Sequence, residues 1–219
     1  MQRSGVDSVD GAVHTAEHID VVTRSPLRTW STDDLLAAAR YLSLTGLLVG
    51  VVGLAGRWLA WPLLTSTVGP TAYLFASHPR TEPARFRNAA VGHAVAIGVG
   101  LSAMAIFGLL HHPSVSLVGT PSWSQVFASG IAVGATMAVL ELLHSHHAPA
   151  AATALLITTG LARPGTPLIG LVVGLAIVIA LGPLCGRWPV ITPTGEVATT
   201  TRGRSTVRGD LPVGDRPAS

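Results

Sequence analysis

Charge is scarce in this sequence, and lysine is absent altogether. Of 219 residues, 11% are charged and 48% are hydrophobic, whereas soluble domains carry about 25% charged residues. With a mean hydropathy of +0.51, the shortage argues against a soluble globular domain and for a chain that lives in a bilayer. All 14 basic residues are arginine; we read this as compositional bias and give it no functional weight. The arginines stand at the edges of apolar segments, not in a stripe with interleaved aromatics. The high isoelectric point therefore does not imply a nucleic-acid partner. The one cysteine, Cys185, excludes an intramolecular disulfide and any multi-cysteine metal site. The first twenty residues hold several acids and no apolar core, so no cleavable signal peptide is expected. Insertion would rely on the first apolar helix.

What the sequence has in abundance is long apolar stretches. Six stand out, at about 41–56, 60–77, 89–110, 123–143, 149–162 and 167–186. Crossing a ~30 Å hydrocarbon core takes about 20 helical residues; the third, fourth and sixth reach that length. The first, second and fifth are short or interrupted. The expected fold is all-α, a polytopic membrane helix bundle of about six transmembrane segments, or four if segments two and five are re-entrant. Ahead of them, Ser31 or Thr32 can cap a short helix over 31–42, with Asp33 and Asp34 at its positive end. We divide the chain into a polar N-terminal tail (1–38), a transmembrane domain (39–187) and a C-terminal tail (188–219). That last tail is too poor in apolar surface to fold alone.

Arginine placement favours six crossings in the cell membrane with both termini cytoplasmic. Arg24, Arg28, Arg40, Arg80, Arg85, Arg87, Arg187 and the tail arginines then lie inside, and only Arg57 and Arg163 outside. Trp58, Trp61 and Trp123 would mark one interface, Trp30 and Trp188 the other. A shift of about 82 positions lays Thr71-Ala72 on Thr153-Ala154. It also lays Gly92, Ala94, Ile97 and Gly100 on Gly174, Ala176, Ile179 and Gly182. Each copy of such a repeat has three spans, and an odd number inverts the second copy, as in many transporters. Gly46-x-x-x-Gly50, Gly130-x-x-x-Gly134 and Gly170-x-x-x-Gly174 offer faces for close helix approach.

Three features carry candidate chemistry. Glu141, His144, His146 and His147 cluster where the fourth segment ends. They read as a solvated turn, as lining of a permeation path, or as a metal site. A carboxylate-bridged metal bundle needs a second Glu-x-x-His and further acids inside the spans; none is there, and Pro149 breaks the helix just beyond. Gly69-Pro70-Thr71 interrupts segment two and Pro149 opens segment five. Each is a helix start whose amides and dipole suit an anion. Arg80, Arg85 and Arg87 could form an electropositive vestibule, with Asn88 beside it and His93 one turn inside segment three.

At these residues the chain resembles the HPP family of integral membrane proteins. The family's motif typically reads His-Pro-Pro-Ala-Gly-Ala-Thr-Ala-Leu. Here His147-Ala148-Pro149-Ala150-Ala151-Ala152-Thr153-Ala154-Leu155 follows it, with Ala148 for the first proline and Ala151 for the glycine. Arg87-Asn88-Ala89-Ala90-Val91-Gly92-His93 resembles the family's Arg-Asn to Gly-His stretch, and Gly69-Pro70-Thr71-Ala72 its Gly-Ala-Ser-Ala. The likeness covers about residues 40–186. The family is usually described with four spans, and some plastid members are implicated in nitrite transport. The resemblance implies a transporter or channel-like facilitator for a small inorganic anion such as nitrite; no catalytic residues and no cofactor are expected. The pathway candidates are Gly69, Thr71, Arg87, Asn88, His93, Glu141, His144, His147, Pro149 and Thr153. The lipid bilayer is the expected partner, with a small anion and an oligomer left open. The alternatives are a metal-binding membrane protein using Glu141, His144, His146 and His147, and a structural membrane protein.

Overall fold

The structure, a computed structural model, describes residues 30–188. Residues 1–29 and 189–219 of the two polar tails, and with them the expected absence of a signal peptide, lie outside those residues, whereas residues 32–38, assigned to the N-terminal tail, begin the first helix. Within them the chain is helical: α1 (Thr32–Leu59), α2 (Val68–Ser77), α3 (Phe86–Ile106), the one-turn α4 (Val115–Val118), α5 (Trp123–Leu142), α6 (Ala150–Thr158) and α7 (Thr166–Leu181). Two 3-10 helices, Glu82–Ala84 and Gly182–Arg187, precede α3 and continue α7.

The expected short helix at 31–42 and the first apolar segment are one helix. Ser31 and Asp34 close a capping box at its start. This satisfies amides that a helix N-terminus otherwise leaves unpaired. Ala37, Leu44, Leu48, Val52 and Gly56 make its single buried face, at the spacing of one helical stripe.

Among the described residues, four helices are long and apolar enough to cross a membrane: Thr32–Leu59, Phe86–Ile106, Trp123–Leu142 and Thr166–Arg187. Segments two and five, short or interrupted in the sequence, are the two that form no full-length helix. Their helices, α2 and α6, have 10 and 9 residues, about 15 Å of rise. The prolines are the reason: Pro70 lies in the first turn of α2 and Pro149 caps α6, so each helix begins only there.

Neither short segment turns back, however. Arg40, near the start of α1, donates to the Ala76 carbonyl at the end of α2. At the other end of α1, Gly56 lies against Trp61 and Leu63. Arg40 and Gly56 are separated by about 24 Å of helical rise. Segment two thus runs the length of α1 as an irregular stretch, 60–67, followed by the half-helix α2. Segment five is similar. His147 packs beside Gly92 near the start of α3, while Thr159, just past α6, accepts from Val115 at the far end. The bundle therefore has an arginine end (Arg40, Arg80, Arg85) and a tryptophan end (Trp58, Trp61, Trp123). Arg80→Cys and His146→Cys, each in a Cys185→Ser background, should be labelled from one side of the membrane and Ser116→Cys from the other. Labelling of Arg80→Cys and Ser116→Cys from the same side would reject this path.

The repeat is visible in the packing. Gly100 meets the Ile157 side chain and Gly182 meets the Phe75 ring. Adding 82 to 100 gives 182, and subtracting 82 from 157 gives 75, so the two contacts are the same contact with the halves exchanged. In the same way α2 packs on α1 and α7, and α6 on α5 and α3. Each broken segment lies against the third helix of the other half. A cavity of about 350 Å³ opens between α3 and α7, lined by offset pairs His93/Leu175, Ala94/Ala176 and Ile97/Ile179.

The glycine stripes divide. A Cβ on Gly170 or Gly174 would meet the Pro62 or Leu63 carbonyl oxygen at 2.7 or 2.5 Å. Gly46, Gly50, Gly130 and Gly134 have nothing within 4 Å. The close approach is therefore between α7 and the irregular stretch of segment two. The α1 and α5 stripes face outward.

Candidate functional site

Where the two broken segments meet α3, four polar side chains converge in the buried interior. Thr71 comes from α2, His93 from α3, His147 from the turn before α6, and Thr153 from α6. None is more than 2% exposed. Gly92 makes the meeting close, since a Cβ there would lie 3.0 Å from the His147 Cβ.

Hydrogen-bond chemistry fixes the protons of this cluster in its neutral state. His147 Nδ1 lies 2.9 Å from the Pro83 carbonyl oxygen. A carbonyl only accepts, so Nδ1 carries the hydrogen and Nε2 of the neutral ring is an acceptor. His93 Nε2 is 3.1 Å from that Nε2 and must therefore donate. Its Nδ1 is then the acceptor, and Thr153 Oγ1 donates to it at 2.8 Å. Thr71 Oγ1, 3.2 Å from His93 Nε2, gives its own hydrogen to the Thr67 carbonyl and can accept a share of the His93 N–H. Every donor has a partner without a formal charge.

The outer wall is a second set of ties. Asn88 donates to the Glu82 carbonyl at 3.0 Å, and Ser145, fully buried, approaches the Asn88 side-chain oxygen at 3.4 Å. These hold the 82–84 turn and the α5–α6 connection over the start of α3. Gly69 and Pro149 sit at the helix starts that deliver Thr71 and Thr153. The amides at the α6 start are not open: those of Ala150, Ala151 and Ala152 reach the carbonyls of His147, Ala148 and Pro149. Polar recognition here thus rests on side chains.

Arg87, Glu141 and His144 lie apart from this cluster and are exposed, as are Arg80 and Arg85. The histidine run is split. His146 pairs with Glu141 at 3.4 Å, both well exposed, while His147 turns inward. Among the described residues no group of three or more His, Cys, Asp or Glu could hold a metal, and the geometry gives no support to a metal centre at Glu141, His144, His146 and His147.

Sequence reasoning named all four inner residues but not their contacts. It missed Ser145 and Thr67, which look like ordinary turn residues. It read Arg40 only as a topology signal, whereas Arg40 binds the carbonyls ending α2 and, at 3.2 Å, Cys185. This puts positive charge where helix ends gather negative dipole.

The fold and site define a class: a polytopic helical membrane protein in which two broken segments deliver polar side chains to a buried histidine pair. The family described as HPP, transmembrane region, matches residues 32–189, and the chain belongs to that family. No curated protein and no solved structure matches it.

Proposed function

We propose that this protein is a carrier or channel-like facilitator for a small monovalent anion in the cell membrane, with the arginine end cytoplasmic. The observation that carries the reading is the His93–His147 pair, buried between helices and completed by one threonine from each broken segment. Ionisable side chains within spans are costly and mark ion or substrate paths by default. Discontinuous segments at corresponding places in two inverted halves are where transporters build their sites. Exposed arginines at one end would concentrate anions at the mouth and agree with a cytoplasmic placement. Nitrite enters as a candidate through the family resemblance. We read the protein as a transporter and not as an enzyme.

Flux into proteoliposomes of purified protein tests this, with nitrite, nitrate, formate, acetate and chloride against protein-free vesicles. At least one anion should move, and His147→Ala should abolish the movement. Absence of flux for all of them, under both pH and voltage gradients, would overturn the reading.

A further inference from the structure

The cavity between α3 and α7 has one polar lining residue, His93; its other walls are apolar, including Phe86, Ile97, Val172 and Leu175. Charge at His93 would have little to offset it. From the α5–α6 turn it faces His147; α2 and α6 bring only the hydroxyls of Thr71 and Thr153. The turn before α3 contributes the Pro83 carbonyl, through His147, and α7 brings Leu175 and Ile179. Glu82, Arg85 and Arg87 are exposed.

A lone anion in such a cavity would lose its hydration and gain no countercharge, and a lone imidazolium would fare the same. Together they form a neutral pair, and each removes the other's penalty. We infer that the cavity takes the conjugate base of a weak monobasic acid together with one proton, carried as a neutral unit. This deepens the transport reading and rests on it. The proton comes from water and binds His93 Nδ1, the one acceptor nitrogen not facing the other ring. The Thr153 hydroxyl turns to accept instead of donate. The pair holds one added proton and not two, because its facing nitrogens are 3.1 Å apart. On release the proton leaves with the anion, so charge balances at every stage. The apolar walls suit an acid with an apolar body, such as a short monocarboxylate, and disfavour anions of strong acids.

Two arms test this. In proteoliposomes, acetate, formate and nitrite uptake above the protein-free background should rise several-fold with an acid exterior and ignore a potassium–valinomycin voltage. Nitrate and chloride should not move. Nitrate or chloride flux driven by voltage, with no response of acetate to the pH gradient, would overturn the inference while leaving the transport reading standing. With no flux of any probe the transport reading fails, and the second arm alone decides the cavity. There, protein carrying 15N-labelled histidine is titrated with acetate in detergent. One imidazolium should appear with acetate and not with chloride or nitrate. It should be lost in His93→Leu, and also in Ile97→Trp, which fills the cavity and leaves the histidine pair in place. No acetate-linked imidazolium, or an equal response to chloride, would overturn it.

Discussion

Gly174→Ala is expected to cost at least about 2 kcal/mol, with much of the protein failing to assemble, although it adds a single methyl group. The ideal Cβ at this position lies 2.5 Å from the Leu63 carbonyl oxygen, far inside van der Waals contact. The obstacle is backbone, so no rotamer change relieves it. Either α7 withdraws or the irregular stretch of segment two moves, and Leu63, fully buried, moves with it. Gly50→Ala is the control and should have the opposite sign. Nothing lies within 4 Å of its Cβ, and alanine is favoured over glycine in a helix interior by about 1 kcal/mol. Thermal midpoints from size-exclusion profiles of the solubilised protein decide it. Equal effects at the two positions would mean that α7 does not rest on segment two as described.

His93→Leu and His147→Leu should each destabilise by roughly 1–3 kcal/mol, and the double variant should cost less than their sum. Each single change leaves a buried polar atom of the other ring without its partner: Nε2 of His147 in one case, the N–H of His93 in the other. That N–H would keep only Thr71, at 3.2 Å. Removing both rings removes both orphans, leaving Thr153 free to turn to a backbone carbonyl. Strict additivity in the double-mutant cycle would show that the rings do not hydrogen-bond. Leucine is a suitable probe because the fold already places Leu175 at the position corresponding to His93 across the repeat.

That correspondence also says how the site differs from its scaffold. Thr71 and Thr153 match across the halves, but His93 answers to Leu175 and His147 to Thr65. Two nearly equivalent halves thus frame one histidine pair, and one site per chain is expected.

The sequence by itself determined that the chain is a helical membrane protein, because scarce charge and long apolar runs leave few other solutions. Local chemistry also placed the breaks: Pro70 and Pro149 belong in or at the first turn of a helix, and Ser31 or Thr32 can cap one. The repeat was legible at Gly92, Ala94, Ile97 and Gly100, since small residues at a fixed offset need only counting. Tertiary structure alone decided what met what. His144, His146 and His147 are nearly identical as neighbours in sequence, yet only His147 is turned inward, because Gly92 leaves room for it and the Pro83 carbonyl fixes its ring. The three Gly-x-x-x-Gly stripes look equivalent, but only Gly170 and Gly174 are packed against another part of the chain. Segments two and five are too short to span as helices, and only the contacts at both ends of each, Gly56–Leu63 with Arg40–Ala76 and Gly92–His147 with Val115–Thr159, show that the chain still runs from end to end. A sequence fixes local conformation through backbone sterics and hydrogen bonding. Which residues touch across eighty positions depends on how two halves close on one another.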